Sequence, residues 1–121
     1  MRARIDEIVF DCADPAALAR FWAGLVGGEP VRRSPDWSYI DLPADEPGKF
    51  SNRLAFQRVP EGKAVKNRLH LDLLAEDIPA FSAEAVALGA TLSGSVVTDE
   101  AGSFQVLLDP EGNEFCFVSG A

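Results

Sequence analysis

Hydrophobic residues alternate with polar ones in several short segments, a pattern typical of half-buried strands. The first segment runs from Ile5 to Asp11 and precedes Asp14-Pro15, which is typical of a helix start. Apolar residues, Trp22 among them, then recur at helical spacing until Gly27-Gly28, so Trp22 is predicted to lie in the core. Three more strands are predicted over Glu29 to Arg33, Trp37 to Leu42 and Arg53 to Val59, with a loop over 43–51.

The second half of the chain repeats this order of elements. Segment 7–14 aligns with segment 70–77 without a gap, at a constant offset of 63 positions. A helix is predicted from Asp77 until Gly89, and the strands are predicted over Arg68 to Leu74, Thr91 to Val97, Ser103 to Leu108 and Glu114 to Val118. The sequence therefore predicts one α+β domain over residues 1–121, built from two βαβββ modules of about 1–62 and 67–121. One such module buries too little surface alone, so the two sheets are expected to form a shared cup.

Alternation along each strand separates residues that face a helix from residues that face the expected cup. Ile8 and Phe10 are predicted to face the first helix, and Leu71 and Leu73 the second. The residues predicted to face the cup include Glu7, Val9, Asp11, Arg53, Ala55, Gln57, His70, Asp72, Glu114 and Cys116.

Composition and charge exclude several classes of function. The net charge of the 121 residues is -8, which argues against binding to nucleic acid or to an anionic membrane surface. The single histidine, His70, excludes any site that needs two histidines from one chain. Cys12 and Cys116 have no paired spacing and are expected to be buried free thiols. With no signal-peptide pattern at the start and no long apolar stretch, we expect a cytoplasmic protein.

Two segments make the chain recognisable. Together with the two-module layout, Arg68-Leu69-His70-Leu71-Asp72-Leu73 and the segment 107–115 (LLDPEGNEF) resemble the vicinal oxygen chelate superfamily. The similarity is to its glyoxalase-like branch, whose relatives include glyoxalase I, bleomycin-resistance proteins and extradiol dioxygenases. Segments 14–22 and 54–60 are similar to the same branch.

The resemblance implies a divalent metal, which can be zinc, nickel, manganese or magnesium. In the family, the first and last strands of the modules supply the ligands, which by position are Glu7, Gln57, His70 and Glu114, with Ala55 replacing Gln57 if the register shifts. Glu7 stands where the family usually has histidine, and Gln57 where it usually has glutamate. The implied reaction is metal-assisted proton transfer next to a carbonyl, of lyase or isomerase type, with Glu114 or Glu7 moving the proton.

Each candidate also has a purely structural interpretation. Glu7 can pair with an arginine such as Arg53, and Glu114 can be satisfied by backbone amides. His70 and Gln57 can form hydrogen bonds on the sheet surface.

The alternative function is metal-free binding and sequestration of a drug or metabolite, as in bleomycin-resistance relatives. Trp37 and Tyr39 would then form a wall for the small-molecule ligand, and Arg53 and Asp72 are the charged candidates for contacting it. A regulatory domain is a third interpretation. Extradiol dioxygenase activity is disfavoured, because Glu7 stands where a second histidine is needed. Exposed sheet edges and the family resemblance together lead us to expect a homodimer.

Overall fold

A computed structural model describes residues 2–42 and 52–120, so the loop predicted over 43–51 lies outside the described residues. The chain divides into two compact units, Met1–Gly62 and Lys63–Ala121. Each unit contains one helix and one four-stranded mixed sheet, which confirms the predicted α+β class and the two βαβββ modules.

The first module contains β1 (Glu7–Cys12), α1 (Pro15–Val26), β2 (Val31–Ser34), β3 (Trp37–Asp41) and β4 (Arg53–Arg58). Its strands lie in the order β1-β4-β3-β2. β1 and β4 are parallel, and the other neighbours are antiparallel. The first and last strands of the module are therefore direct partners.

The second module contains β5 (Leu71–Leu74), α2 (Ile78–Leu88), β6 (Thr91–Asp99), β7 (Gly102–Leu108) and β8 (Glu114–Gly120). The order β5-β8-β7-β6 and the parallel pairing of β5 with β8 match the first module. The predicted first strand of this module was too long at its start, because the structure begins β5 at Leu71 and leaves His70 just before it.

Both helices begin in the same way, which explains part of the sequence repeat. The side chain of Asp14 accepts a hydrogen bond from the backbone N–H of Ala17 at 3.1 Å. Asp77 accepts the equivalent bond from Ala80, also at 3.1 Å. Each carboxylate satisfies a backbone donor that the first helical turn leaves unpaired.

The core of the first module lies between α1 and one face of its sheet. Trp22 is 1% exposed, and its ring centroid lies 5.1 Å from that of Phe10, which in turn contacts Phe56 at 5.2 Å. Ser38 and Ile40 of β3 are buried on this helix-facing side. The prediction that Trp22 belongs to the core is confirmed.

The core of the second module follows the same plan. Phe115 and Leu107 are fully buried, and Phe117 is 3% exposed. Phe117 contacts Phe115 at 5.7 Å and Phe81 of α2 at 5.8 Å between ring centroids. In both modules the opposite sheet face carries the candidate functional residues. Cys12 and Cys116 are buried and are not joined in a disulfide, as predicted.

Among the described residues, neither helix is long and apolar enough to cross a membrane.

Candidate functional site

Four chemically active side chains share one face of the second sheet. Leu71 pairs with Phe115, so the preceding residues, His70 and Glu114, lie beside each other at the start of the two strands. One step further along the same face, Asp72 pairs with Cys116. The parallel pairing of β5 and β8 therefore brings together residues that are more than forty positions apart in the sequence.

A cavity of about 330 Å³ opens on this face of the second module. His70, Asp72, Glu114 and Lys66 provide its polar groups. Its other walls are the side chains of Phe104, Val106, Cys116 and Val118. The arrangement suits a small molecule with an apolar body and a polar group, because such sites combine mainly apolar walls with a few convergent polar side chains.

Glu114 is held by the segment that precedes β5. Its Oε2 accepts a hydrogen bond from the backbone N–H of Asn67 at 2.9 Å, and its Oε1 lies 3.1 Å from Lys63 Nζ. The Asn67 N–H, and after it Lys63, lower the pKa of Glu114 below its usual range, although burial opposes them. A carboxylate with a lowered pKa stays ionised at neutral pH but is a weaker proton acceptor.

We expect Glu114→Gln to lower the free energy of unfolding by about 2 kcal/mol at neutral pH, because the charged hydrogen bonds are lost. The pKa of Glu114 is lowered on folding, so its contribution is present at neutral pH and lost as pH falls through that pKa. The difference between the two proteins should therefore shrink in acid. Denaturant unfolding at several pH values measures it.

The matched control is Glu84→Gln, at an exposed position on α2. Removing this charge should change the unfolding free energy by less than about 0.5 kcal/mol at any of these pH values. Equal effects of the two substitutions would contradict the structural role of Glu114.

His70, Asp72 and Cys116 form a second cluster within the same cavity. One potential ligand atom from each residue lies within 4.8 Å of the other two. His70 Nε2 is 3.2 Å from Asp72 Oδ1. Burial, and after it the Asp72 carboxylate, raises the pKa of the Cys116 thiol. Imidazole, carboxylate and thiol are all metal-ligand groups, so this cluster can hold a metal ion.

The corresponding face of the first module is organised around an arginine. Arg53 lies between Glu7 on β1 and Asp41 on β3 in the sheet register. Its Nε is 2.9 Å from Asp41 Oδ1, and this hydrogen bond raises the pKa of Arg53 above its usual value. Glu7 therefore faces a guanidinium where His70 in the second module faces Glu114.

The two aromatic candidates of the first module also contact arginines. The Arg53 guanidinium lies 3.6 Å from the ring centroid of Tyr39, and that of Arg33 lies 4.4 Å from the ring centroid of Trp37. Each aromatic ring thus has one face covered by a cation. Their predicted role as a ligand wall stays a prediction.

The structure does not bring Gln57 close to Glu7. Gln57 pairs with Asp11 at the opposite end of β1, and Arg53 is the residue opposite Glu7. Four residue steps along a strand separate the two side chains by about 13 Å. Within this module the position equivalent to Glu114 holds Arg53, and the role of Gln57 as a metal ligand stays a prediction. Ala55, the other position considered, carries no ligand group.

Contacts within each module oppose cation binding by the set that the family resemblance implies, which is Glu7, Gln57, His70 and Glu114. In the first module Arg53 puts a positive charge opposite Glu7. In the second module both carboxylate oxygens of Glu114 are already bonded.

Two groups of residues at this site were not predicted from the sequence: those that bind Glu114, and some of those that form the cavity wall. Lys63 and Asn67 lie in a connecting segment, where no periodic pattern indicates which side chains turn back towards the sheet. Phe104, Val106 and Val118 follow the alternation of β7 and β8, so their positions could have been found from the same rule that placed Glu114 and Cys116.

The model of one protein family matches residues 7–118, and that family is described as the glyoxalase-like domain. A comparison with curated proteins finds no match.

Solved structures show the same fold. A glyoxalase/bleomycin resistance protein/dioxygenase family enzyme from Burkholderia phytofirmans PsJN is 20% identical, with a TM-score of 0.79 over 98% of this chain and 100% of that one. A glyoxalase-related enzyme from Fulvimarina pelagi is 20% identical, with a TM-score of 0.74 over 98% of this chain and 89% of that one. A third structure is a mutant fosfomycin resistance protein from Listeria monocytogenes, complexed with Mn(II) and 1S,2S-dihydroxypropylphosphonic acid. It is 13% identical, with a TM-score of 0.76 over 100% of this chain and 93% of that one.

Proposed function

The chain belongs to the glyoxalase-like domain family, and from this premise we propose that it binds a small organic molecule in the cavity of its second module. The observation that carries the proposal is the cavity itself. Its volume of about 330 Å³ lies within the range of small-molecule sites.

The lining residues indicate the class of ligand. Phe104, Val106 and Val118 form apolar walls for an aromatic or aliphatic body. His70 and Lys66 at the polar part can donate hydrogen bonds to an oxygen-bearing group, and Asp72 can accept one from a hydroxyl or amine. We propose a ligand with an apolar body and one polar group.

A neutral apolar dye, Nile red, tests this proposal. We expect its fluorescence to rise on binding and its affinity to fall by at least about tenfold in Val118→Asp, because the new carboxylate places an unpaired charge in the apolar wall. Val118→Phe, which fills the cavity without adding charge, should weaken binding as well. Circular dichroism confirms that each variant is folded.

The matched control is Leu88→Asp, because Leu88 is 47% exposed on α2 and does not line the cavity. It should bind the dye like the unmodified protein. Unchanged dye affinity in both Val118 variants would overturn the proposal.

A metal-assisted lyase or isomerase is the enzymatic alternative. It needs a carboxylate able to take a proton from the ligand, whereas the lowered pKa of Glu114 weakens it as a base. Glu7 lies opposite Arg53 in the register of β1 and β4, so a guanidinium is its partner across the two strands. These contacts support binding over proton transfer by either residue. Turnover of a carbonyl compound that is lost in Glu114→Gln would favour the alternative.

A further inference from the structure

We propose that the second module binds one divalent transition metal ion of the zinc type through His70, Asp72 and Cys116. This goes beyond the proposed small-molecule binding and does not depend on it. The donor set also differs from the one that the family resemblance implies: only His70 is shared, and all three donors belong to one module.

The three donors are placed almost as a metal needs them. Their potential ligand atoms lie within 4.8 Å of one another, and His70 Nε2 and Asp72 Oδ1 are 3.2 Å apart. In a tetrahedral zinc site, bond lengths of about 2.0 to 2.3 Å place neighbouring donor atoms about 3.3 to 3.8 Å apart. Small side-chain rotations therefore suffice to form the site.

The chemistry of the donors selects the class of metal. A thiolate, an imidazole and one carboxylate together favour zinc or cobalt over magnesium or calcium, which prefer oxygen donors. On metal binding the Cys116 thiol would release its proton to solvent, and the resulting thiolate and the Asp72 carboxylate would neutralise the two positive charges of the ion. Three protein donors leave a fourth coordination position for water or a ligand, as in catalytic rather than structural zinc sites.

The surroundings allow the metal to enter and be held. The side chains of His70 and Asp72 are 44% and 53% exposed, whereas Cys116 is buried with 8% exposure beneath them. All three line the same cavity, which gives an entry path. The positive charge of Lys66, which also lines this cavity, opposes the binding of a metal ion, but its long side chain can turn towards solvent.

The first module provides an internal comparison. By the repeat and the strand pairing, the positions equivalent to His70, Asp72 and Cys116 hold Glu7, Val9 and Ala55. Only one of these has a ligand group. The three-donor cluster is therefore specific to the second module among the described residues.

Cobalt(II) titration of chelator-treated protein tests the proposal. We expect saturation at one ion per chain, a sulfur-to-cobalt charge-transfer band in the near ultraviolet and displacement of the cobalt by zinc. The band should disappear in Cys116→Ser and persist in Cys12→Ser, which removes the other buried thiol. No band in the unmodified protein, or a band unaffected by Cys116→Ser, would overturn the proposal.

Two further variants cover the case in which Cys116→Ser does not fold. His70→Gln and Asp72→Asn change partly exposed side chains, and each should weaken cobalt binding by at least about tenfold. Unchanged affinity in both would also contradict the site. Nile red binding, measured on the metal-free protein, reports on the cavity separately, so either proposal can fail while the other stands.

Discussion

Trp22→Ala is expected to lower the free energy of unfolding by about 4 kcal/mol, the largest effect of any single change considered. The Trp22 side chain is 1% exposed, and its ring contacts Phe10 and Phe21, with centroid distances of 5.1 and 5.8 Å. Alanine would leave a large cavity between α1 and the sheet. Denaturant unfolding followed by far-ultraviolet circular dichroism measures the change without relying on the lost fluorophore.

The other tryptophan is the matched control. Trp37 lies on the opposite sheet face, partly exposed, with Arg33 over its ring. Trp37→Ala should lower the free energy of unfolding by about 1 kcal/mol or less. If Trp37→Ala destabilised the protein as much as Trp22→Ala, the assignment of the two sheet faces would be wrong.

Asp109→Ala is expected to lower the free energy of unfolding by about 3 kcal/mol, because it removes several hydrogen bonds to one buried carboxylate. Asp109 is 3% exposed, and its Oδ1 accepts bonds from the backbone N–H groups of Glu111 and Asn113 at 2.9 and 3.0 Å. The Asn113 side-chain amide donates to both oxygens of this carboxylate, to Oδ1 at 3.1 Å and to Oδ2 at 2.9 Å. These bonds fix the turn from which β8 begins at Glu114, and Gly112 within it has a φ of 87°.

Asp99→Ala supplies the comparison, because Asp99 also begins a turn between antiparallel strands. Its carboxylate is exposed and accepts one bond, from Ala101 N–H at 2.8 Å. We expect a loss below about 1 kcal/mol, measured by the same denaturant unfolding. A ranking in which Asp99→Ala is the more damaging change would contradict the structural role assigned to Asp109.

Local signals in the sequence were enough to predict most of the fold. Asp14 and Asp77 are helix caps whose partners lie three residues away, so a short segment contains the whole interaction. Alternation along β1 also predicted that Phe10 faces the helix and that Val9 faces the other side of the sheet. This pattern repeats every two residues, so it depends only on neighbouring residues. The limits of β5 were less predictable, because a strand ends where its partner stops pairing.

The candidate site was less predictable because it depends on pairing between distant strands. Arg53, Ala55 and Gln57 share one face of β4, and alternation alone cannot decide which of them lies opposite Glu7. The pairing register of β1 and β4 decides this, and it places Arg53 opposite Glu7. The partners of Glu114 were hidden for a related reason: Lys63 and Asn67 reach it from a segment without regular structure.

The parallel pairing of first and last strands has a consequence for synthesis on the ribosome. Glu7 pairs with Arg53 and Leu71 with Phe115, so each β-strand that opens a module meets its partner only after more than forty further residues have been made. A nascent chain that stops before Arg53 leaves β1 as an unpaired edge, which is open to association with other chains. Slow elongation through this stretch would therefore prolong the period in which aggregation competes with folding.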